Sequence, residues 1–189
     1  MQPFPSRVSD RTHHNFLEAF WQLYVCKSID KIRVQDICDI AGYHRNSFYR
    51  YFKDIYDVRE QIEDGIIHQI VQQTDQGILC GSKETILNSY LTIWEQHSEY
   101  LRVFAADSNG SHFQEKLCTA LKQAHRKLFQ YSSSDAVDDY LWEYNITGSV
   151  ACMMYYYRRE PSGLSLREIL ELQFRFLDSE AFPQMSRKK

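Results

Sequence analysis

The chain has 189 residues and a formal net charge of −3, with 43% hydrophobic and 25% charged residues. That length gives one domain, or two small ones, and that apolar content builds a packed interior rather than a disordered chain. Only 7 glycines and 4 prolines occur, and residues 6 to 160 hold no proline, which excludes a loop-rich β-sandwich and fits long helices.

Apolar spacing predicts helices almost throughout, with no strand and no internal repeat. The first runs from about Asp10 to Cys26, with Leu17, Phe20, Trp21 and Tyr24 on one face. A short helix follows at Val34–Ala41, pinned by Val34, Ile37, Cys38 and Ala41, and Gly42 ends it. A second short helix is predicted over His44–Tyr51, with Phe48 and Phe52 turned inward. A long helix fits Asp54 to about Gln76, carrying Val58, Ile62, Ile66 and Ile70 on one stripe. Gly77 and Gly81 bracket a break, and Ser82 opens a helix to about Ser98. Glu99–Ala106 is a shorter helix, and Asp107–Ser111 reads as a turn. Helices are then expected over Phe113–Tyr131, over Ala136–Arg158 after a capping loop at Ser132–Asp135, and over Ser165–Asp178 after a break at Pro161–Gly163. Ser186–Lys189 reads as a frayed tail.

Two short helices joined by a turn at Gly42, after a longer helix, make a helix-turn-helix pattern. The second presents Arg45, Asn46, Ser47, Tyr49 and Arg50, with Lys53 just beyond. Arginine and lysine meet phosphates or guanine edges, Asn and Ser hydrogen-bond bases or phosphates, and the tyrosine hydroxyl reaches a phosphate. Charge supports an anionic partner at this end. Residues 1–59 carry nine Lys/Arg against seven Asp/Glu, and residues 60–189 carry thirteen against eighteen. Of Tyr49, Tyr51 and Tyr56, only Tyr49 is expected to face outward.

The run from Ile32 to Val58 resembles the DNA-binding module of TetR-family transcriptional regulators. The resemblance covers roughly residues 10–60 and rests on the Ala41-Gly42 turn, Phe48-Tyr49, Phe52-Lys53 and the acidic helix start that follows. It implies an all-α protein with a helix-turn-helix DNA-binding domain over residues 1–53. A helical effector-binding and dimerisation domain would follow over 54–189. It places Arg45, Asn46, Ser47 and Tyr49 at base and phosphate contacts, Lys53 at a phosphate, and Phe48 and Phe52 in the core. Two departures stand out. Arg33 occupies a position where the family often has a capping Thr, which loses a cap and gains a phosphate-seeking charge. Tyr43 and His44 replace a common Val-Ser pair. The DNA-contacting set is therefore Arg33, His44, Arg45, Asn46, Ser47, Tyr49, Arg50 and Lys53.

The last two helices, apolar on several faces, are expected to form a four-helix bundle with a two-fold mate, so a homodimer would read a palindromic operator. Tyr90, Trp94, Phe104, Phe113, Tyr140 and Tyr144 fall in segments that line an effector pocket in the family. A small hydrophobic or planar effector is expected there, with His97, His112 and His125 as possible polar handles. No HExxH, GxSxG, Walker or GxGxxG motif appears, so no enzyme activity and no cofactor are expected. Cys26, Cys38, Cys80, Cys118 and Cys152 make an odd number, with no CxxC and no zinc-module spacing. With no basic-then-apolar leader and no stretch long enough to span a bilayer, the expected setting is the cytoplasm, with thiols reduced. The reading is a DNA-binding regulator, most simply a repressor released by an effector. The alternative is a TetR-like coregulator that binds a protein partner instead of an operator.

Overall fold

The computed structural model describes residues 11–79, 82–107, 110–128, 136–159 and 163–177. Every regular element among them is helical, in agreement with the all-α expectation. Asp10, Cys80, Gly81, the Ser132–Asp135 loop, Pro161, Asp178 and the Ser186–Lys189 tail lie outside the described residues, as does the side chain of His125.

The chain divides into two compact units, Met1–Ile66 and Ile67–Lys189. The boundary falls inside a long helix. Val58, Ile62, Ile66 and Ile70 are buried on either side of the boundary.

The first unit holds α1 (Arg11–Tyr24), a 3-10 turn (Ile29–Lys31), α2 (Val34–Ala41), α3 (Arg45–Phe48) and the first part of α4 (Ile55–Leu79). Its core is aromatic: Phe16, Phe20, Phe48 and Phe52 are at most 2% exposed. Each such side chain contributes about 1.5–3 kcal/mol by leaving water. Ile37 and Cys38 bury the inner face of α2. Gly42 closes α2 at φ 75°, and its N–H donates to the Cys38 carbonyl at 2.9 Å. A Cβ there would meet nothing within 4 Å. Gly42→Ala should therefore cost stability through backbone strain alone, about 1–2 kcal/mol, read from urea unfolding midpoints. A cost near zero would show that the turn can relax.

On α4, the side chains of Arg59 and Glu63 pair within the interior. Arg59 Nε donates to Glu63 Oε1 at 2.8 Å, and the guanidinium lies 5.7 Å from the Tyr24 ring centre.

The second unit holds the rest of α4 and α5 (Lys83–Gln96), α6 (Ser98–Ala106), α7 (Gly110–Leu128), α8 (Ala136–Arg158) and α9 (Leu166–Leu177). Helix α8 packs against α6, α7 and α9, and α5 packs against α9. Ser82 caps α5 as expected, its Oγ accepting from the Thr85 N–H at 3.2 Å. Ser165 and Glu168 form a reciprocal capping pair at the start of α9: Ser165 N–H donates to Glu168 Oε2 at 2.7 Å, and Glu168 N–H to Ser165 Oγ at 3.3 Å. The last turn of α8 is anchored by two side chains. Tyr157 donates its hydroxyl to the Trp94 carbonyl at 2.6 Å, and Arg158 Nε to the Ala105 carbonyl at 2.8 Å. Burial raises the Tyr157 pKa, so this phenol stays a donor.

Three boundaries differ from expectation. Helix α3 is a single turn from Arg45 to Phe48, and residues 49–51 continue as turn. Helix α7 starts at Gly110, inside the predicted turn, and α4 continues through Gly77 to Leu79. Glycine weakens a helix by about 1 kcal/mol and does not by itself end one.

Candidate nucleic-acid interface

Arg33 is the extended residue just before α2, and its guanidinium has no acceptor and gives no side-chain cap. The cap comes from the other direction: Asp36 Oδ2 accepts from the Arg33 backbone N–H at 3.3 Å and from Lys27 Nζ at 3.2 Å. Lys27, then the Arg33 N–H, hold the Asp36 carboxyl below its ordinary value. This link persists at neutral pH and fails only as pH falls through that lowered value. The Arg33 side chain is exposed.

The turn after α2 is clamped from α1. Tyr43 packs on Phe16 with ring centres 5.3 Å apart, and Asn15 Nδ2 donates to the Tyr43 hydroxyl at 3.3 Å. The bulky residue at the start of α3 is therefore a half-buried brace. His44 precedes α3 in extended conformation, with no side-chain cap bond and an exposed ring.

Helix α3 sits on an aromatic platform. Phe48 is 0% exposed and meets Phe16 edge-on at 5.5 Å and Phe52 at 5.2 Å. His13 stacks on Phe52 at 5.0 Å, and its Nε2 is 2.8 Å from Gln61 Oε1. With the inner face so occupied, Arg45, Asn46, Tyr49 and Arg50 point to solvent, and Ser47 is half-buried. Tyr49 is 55% exposed. Tyr56 also faces outward, contrary to expectation, because its hydroxyl donates to Asp30 Oδ1 at 3.2 Å across the surface.

Helix α4 starts under a double cap. Asp54 Oδ1 accepts from the N–H groups of Tyr56 and Asp57 at 2.8 and 2.9 Å, and Asp57 Oδ2 accepts from the Lys53 N–H at 2.8 Å. This fixes the Lys53 backbone and leaves its ammonium exposed. If Lys53 meets a phosphate, Lys53→Ala should weaken binding to all duplexes alike and flatten the plot of log affinity against log salt by about one unit. Titration at four salt concentrations checks this, and an unchanged slope would remove Lys53 from the interface.

The proposed DNA-contacting residues thus come from three consecutive pieces of one unit: Arg33 before α2, His44 to Arg50 around α3, and Lys53 before α4. Sequence reasoning passed over one part of this surface. Gln35, Cys38, Asp39, Gly42, Tyr43, His44, Arg45 and Asn46 line an open groove of about 590 Å³. Gln35 and Asp39 are exposed and joined by a 2.7 Å hydrogen bond from Gln35 Nε2 to Asp39 Oδ1. Their spacing of four, off the Val34–Ile37–Cys38–Ala41 face, was the available signal. Burial raises the Cys38 thiol pKa, with the Arg45 cation opposing and the Asp39 carboxylate reinforcing, so both charges lie near this sulfur.

The six aromatic residues expected around an effector have these surroundings. Phe104 and Phe113 stack at 4.5 Å in the core, Trp94 lies 6.4 Å from Tyr157, and Tyr90 meets Phe174 edge-on at 5.9 Å. Tyr140 and Tyr144 are 78% and 63% exposed on α8. An open groove of about 490 Å³ in this unit is lined instead by amides and hydroxyls, including Gln73, Asn88, Ser89, Thr92 and Gln96, with Ile93. His97 is buried and His112 exposed. Among the described residues no His/Cys/Asp/Glu cluster could hold a metal, and no helix is long and apolar enough to cross a membrane.

No family model matches the sequence, and no curated protein matches it. Solved structures do match the fold. A TetR transcriptional regulator from Streptococcus agalactiae 2603V superposes with a TM-score of 0.66 at 16% identity, covering 88% of this chain and 93% of that one. The dihydroxyacetone kinase operon activator DhaS gives 0.60 at 21% identity, over 88% and 94%. A tetR-family transcriptional regulator from Streptomyces coelicolor gives 0.57 at 14% identity, over 87% and 78%.

Proposed function

We propose that this chain, which has the fold of TetR-family transcriptional regulators, is itself a DNA-binding transcription regulator of that kind, acting without enzyme chemistry. The observation that carries the reading is the two-sidedness of α3. Phe48 is locked into an aromatic core while Arg45, Asn46, Tyr49 and Arg50 are all exposed, as are Arg33, His44 and Lys53. A recognition helix needs a rigid inner face and a hydrogen-bonding, cationic outer face.

The chain works as a homodimer through α8 and α9. Tyr140, Tyr144 and Tyr155 leave more than half of their surface exposed along α8, and Leu172 is 47% exposed on α9. Large apolar groups at that spacing are covered by a two-fold mate, which sets two recognition helices on a palindrome. The chain represses until a small effector, held by the second unit, lowers DNA affinity through its unequal affinity for two states of the dimer.

The test compares Arg45→Ala and Tyr49→Ala with the parent chain on a palindrome recovered from random duplexes. Each variant should lose about 5- to 100-fold in specific affinity, while sedimentation shows an unchanged dimer. Parent-like affinity in both would refute the assignment of α3 as the reader.

A further inference from the structure

Asp39 is an anomaly in a surface meant for DNA. It is exposed on α2 and lines the same groove as His44, Arg45 and Asn46. A carboxylate facing phosphates would be repelled by them. Its place is favourable only where base edges offer donors, and Gln35 holds it there through the 2.7 Å bond to Oδ1. That bond uses one amide hydrogen and leaves the other carboxylate oxygen and the Gln35 carbonyl as acceptors. Arg45, on the same groove and near the same Cys38 sulfur, supplies donors. Donor and acceptor on one groove match the major-groove edge of a G·C pair or step, where guanine shows O6 and N7 and cytosine shows its N4 amine.

We propose that Asp39, oriented by Gln35, is a base-reading residue on α2 that accepts a hydrogen bond from an exocyclic base amine, cytosine N4 or adenine N6, next to the base that Arg45 reads. It rests on the DNA-reading function proposed above. It predicts an unusual sign: loss of this contact lowers discrimination while raising affinity for unrelated DNA, because a charge repelled by phosphates is removed.

The test is a set of parallel binding selections from random duplexes with the parent chain, Asp39→Ala, Asp39→Asn and Gln35→Ala, each variant first shown to keep the parent's thermal midpoint. In the parent, one position of each half-site should require a base bearing an exocyclic amine, and its identity tells cytosine from adenine. Asp39→Ala should relax that one position by about fivefold or more, leave the others unchanged, and bind a scrambled duplex more tightly than the parent. Gln35→Ala should relax the same position less. An identical preference in the parent and Asp39→Ala would overturn the inference and leave the wider function standing. So would a uniform rise in affinity with unchanged pattern, which makes Asp39 only an electrostatic brake. A parent chain that enriches no sequence would overturn both.

Discussion

Glu63→Ala should destabilise the chain by about 3–5 kcal/mol, although Glu63 lies on α4 and not among the proposed DNA-contacting residues. Its side chain is 2% exposed and that of Arg59 is 9% exposed, with 2.8 Å between Arg59 Nε and Glu63 Oε1. Removing the carboxylate leaves a guanidinium that cannot deprotonate enclosed near the Tyr24 ring. The 2.8 Å ion pair that offsets the desolvation of that cation is then lost. The double replacement Arg59→Met with Glu63→Leu should recover most of the loss, since a buried pair exchanged for apolar side chains of similar volume is often neutral or better. Urea unfolding of the three proteins checks this. A cost below about 1 kcal/mol for Glu63→Ala would mean that water reaches the guanidinium.

Phe48→Ala should cost about 3–5 kcal/mol, the usual range for truncating a buried aromatic side chain. Phe48 is 0% exposed, is edge-on to Phe16 and also packs against Phe52 and Tyr49. The cavity would open under α3, a single turn with few hydrogen bonds of its own. Phe48→Leu fills much of the volume and should cost about half as much. Specific DNA affinity should fall in the same order, Ala below Leu below parent, at temperatures where all three remain folded. A stable Phe48→Ala protein with parent affinity would show that α3 is held by something other than this platform.

Much of the first unit could be read from the chain itself. Phe48 and Phe52, four apart, and Ile37 with Cys38 announce buried faces, and Gly42 at φ 75° occupies the turn that asked for a glycine. What was hidden depends on long-range partners. Tyr43 stands out in the sequence only as a bulky substitute, and its role as a brace shows once Asn15 and Phe16 are beside it. Tyr56 looks like core until Asp30 draws its hydroxyl across the surface. Asp39 gives no signal in the sequence, since an exposed acid on a helix is an ordinary solvated residue, and only the groove groups it with His44, Arg45 and Asn46. In the second unit, aromatic residues at helical spacing gave no means of separating a stacked core pair, Phe104 with Phe113, from exposed tyrosines such as Tyr140.

The central claim is that α3 reads DNA sequence from a dimer. It is tested most directly by mixing the purified chain with random duplexes at near-physiological salt and sequencing the retained pool. The account predicts one enriched palindrome, with half-sites about one helical turn or more apart, centre to centre. A folded dimer that enriches no sequence would contradict it and favour a protein partner over an operator.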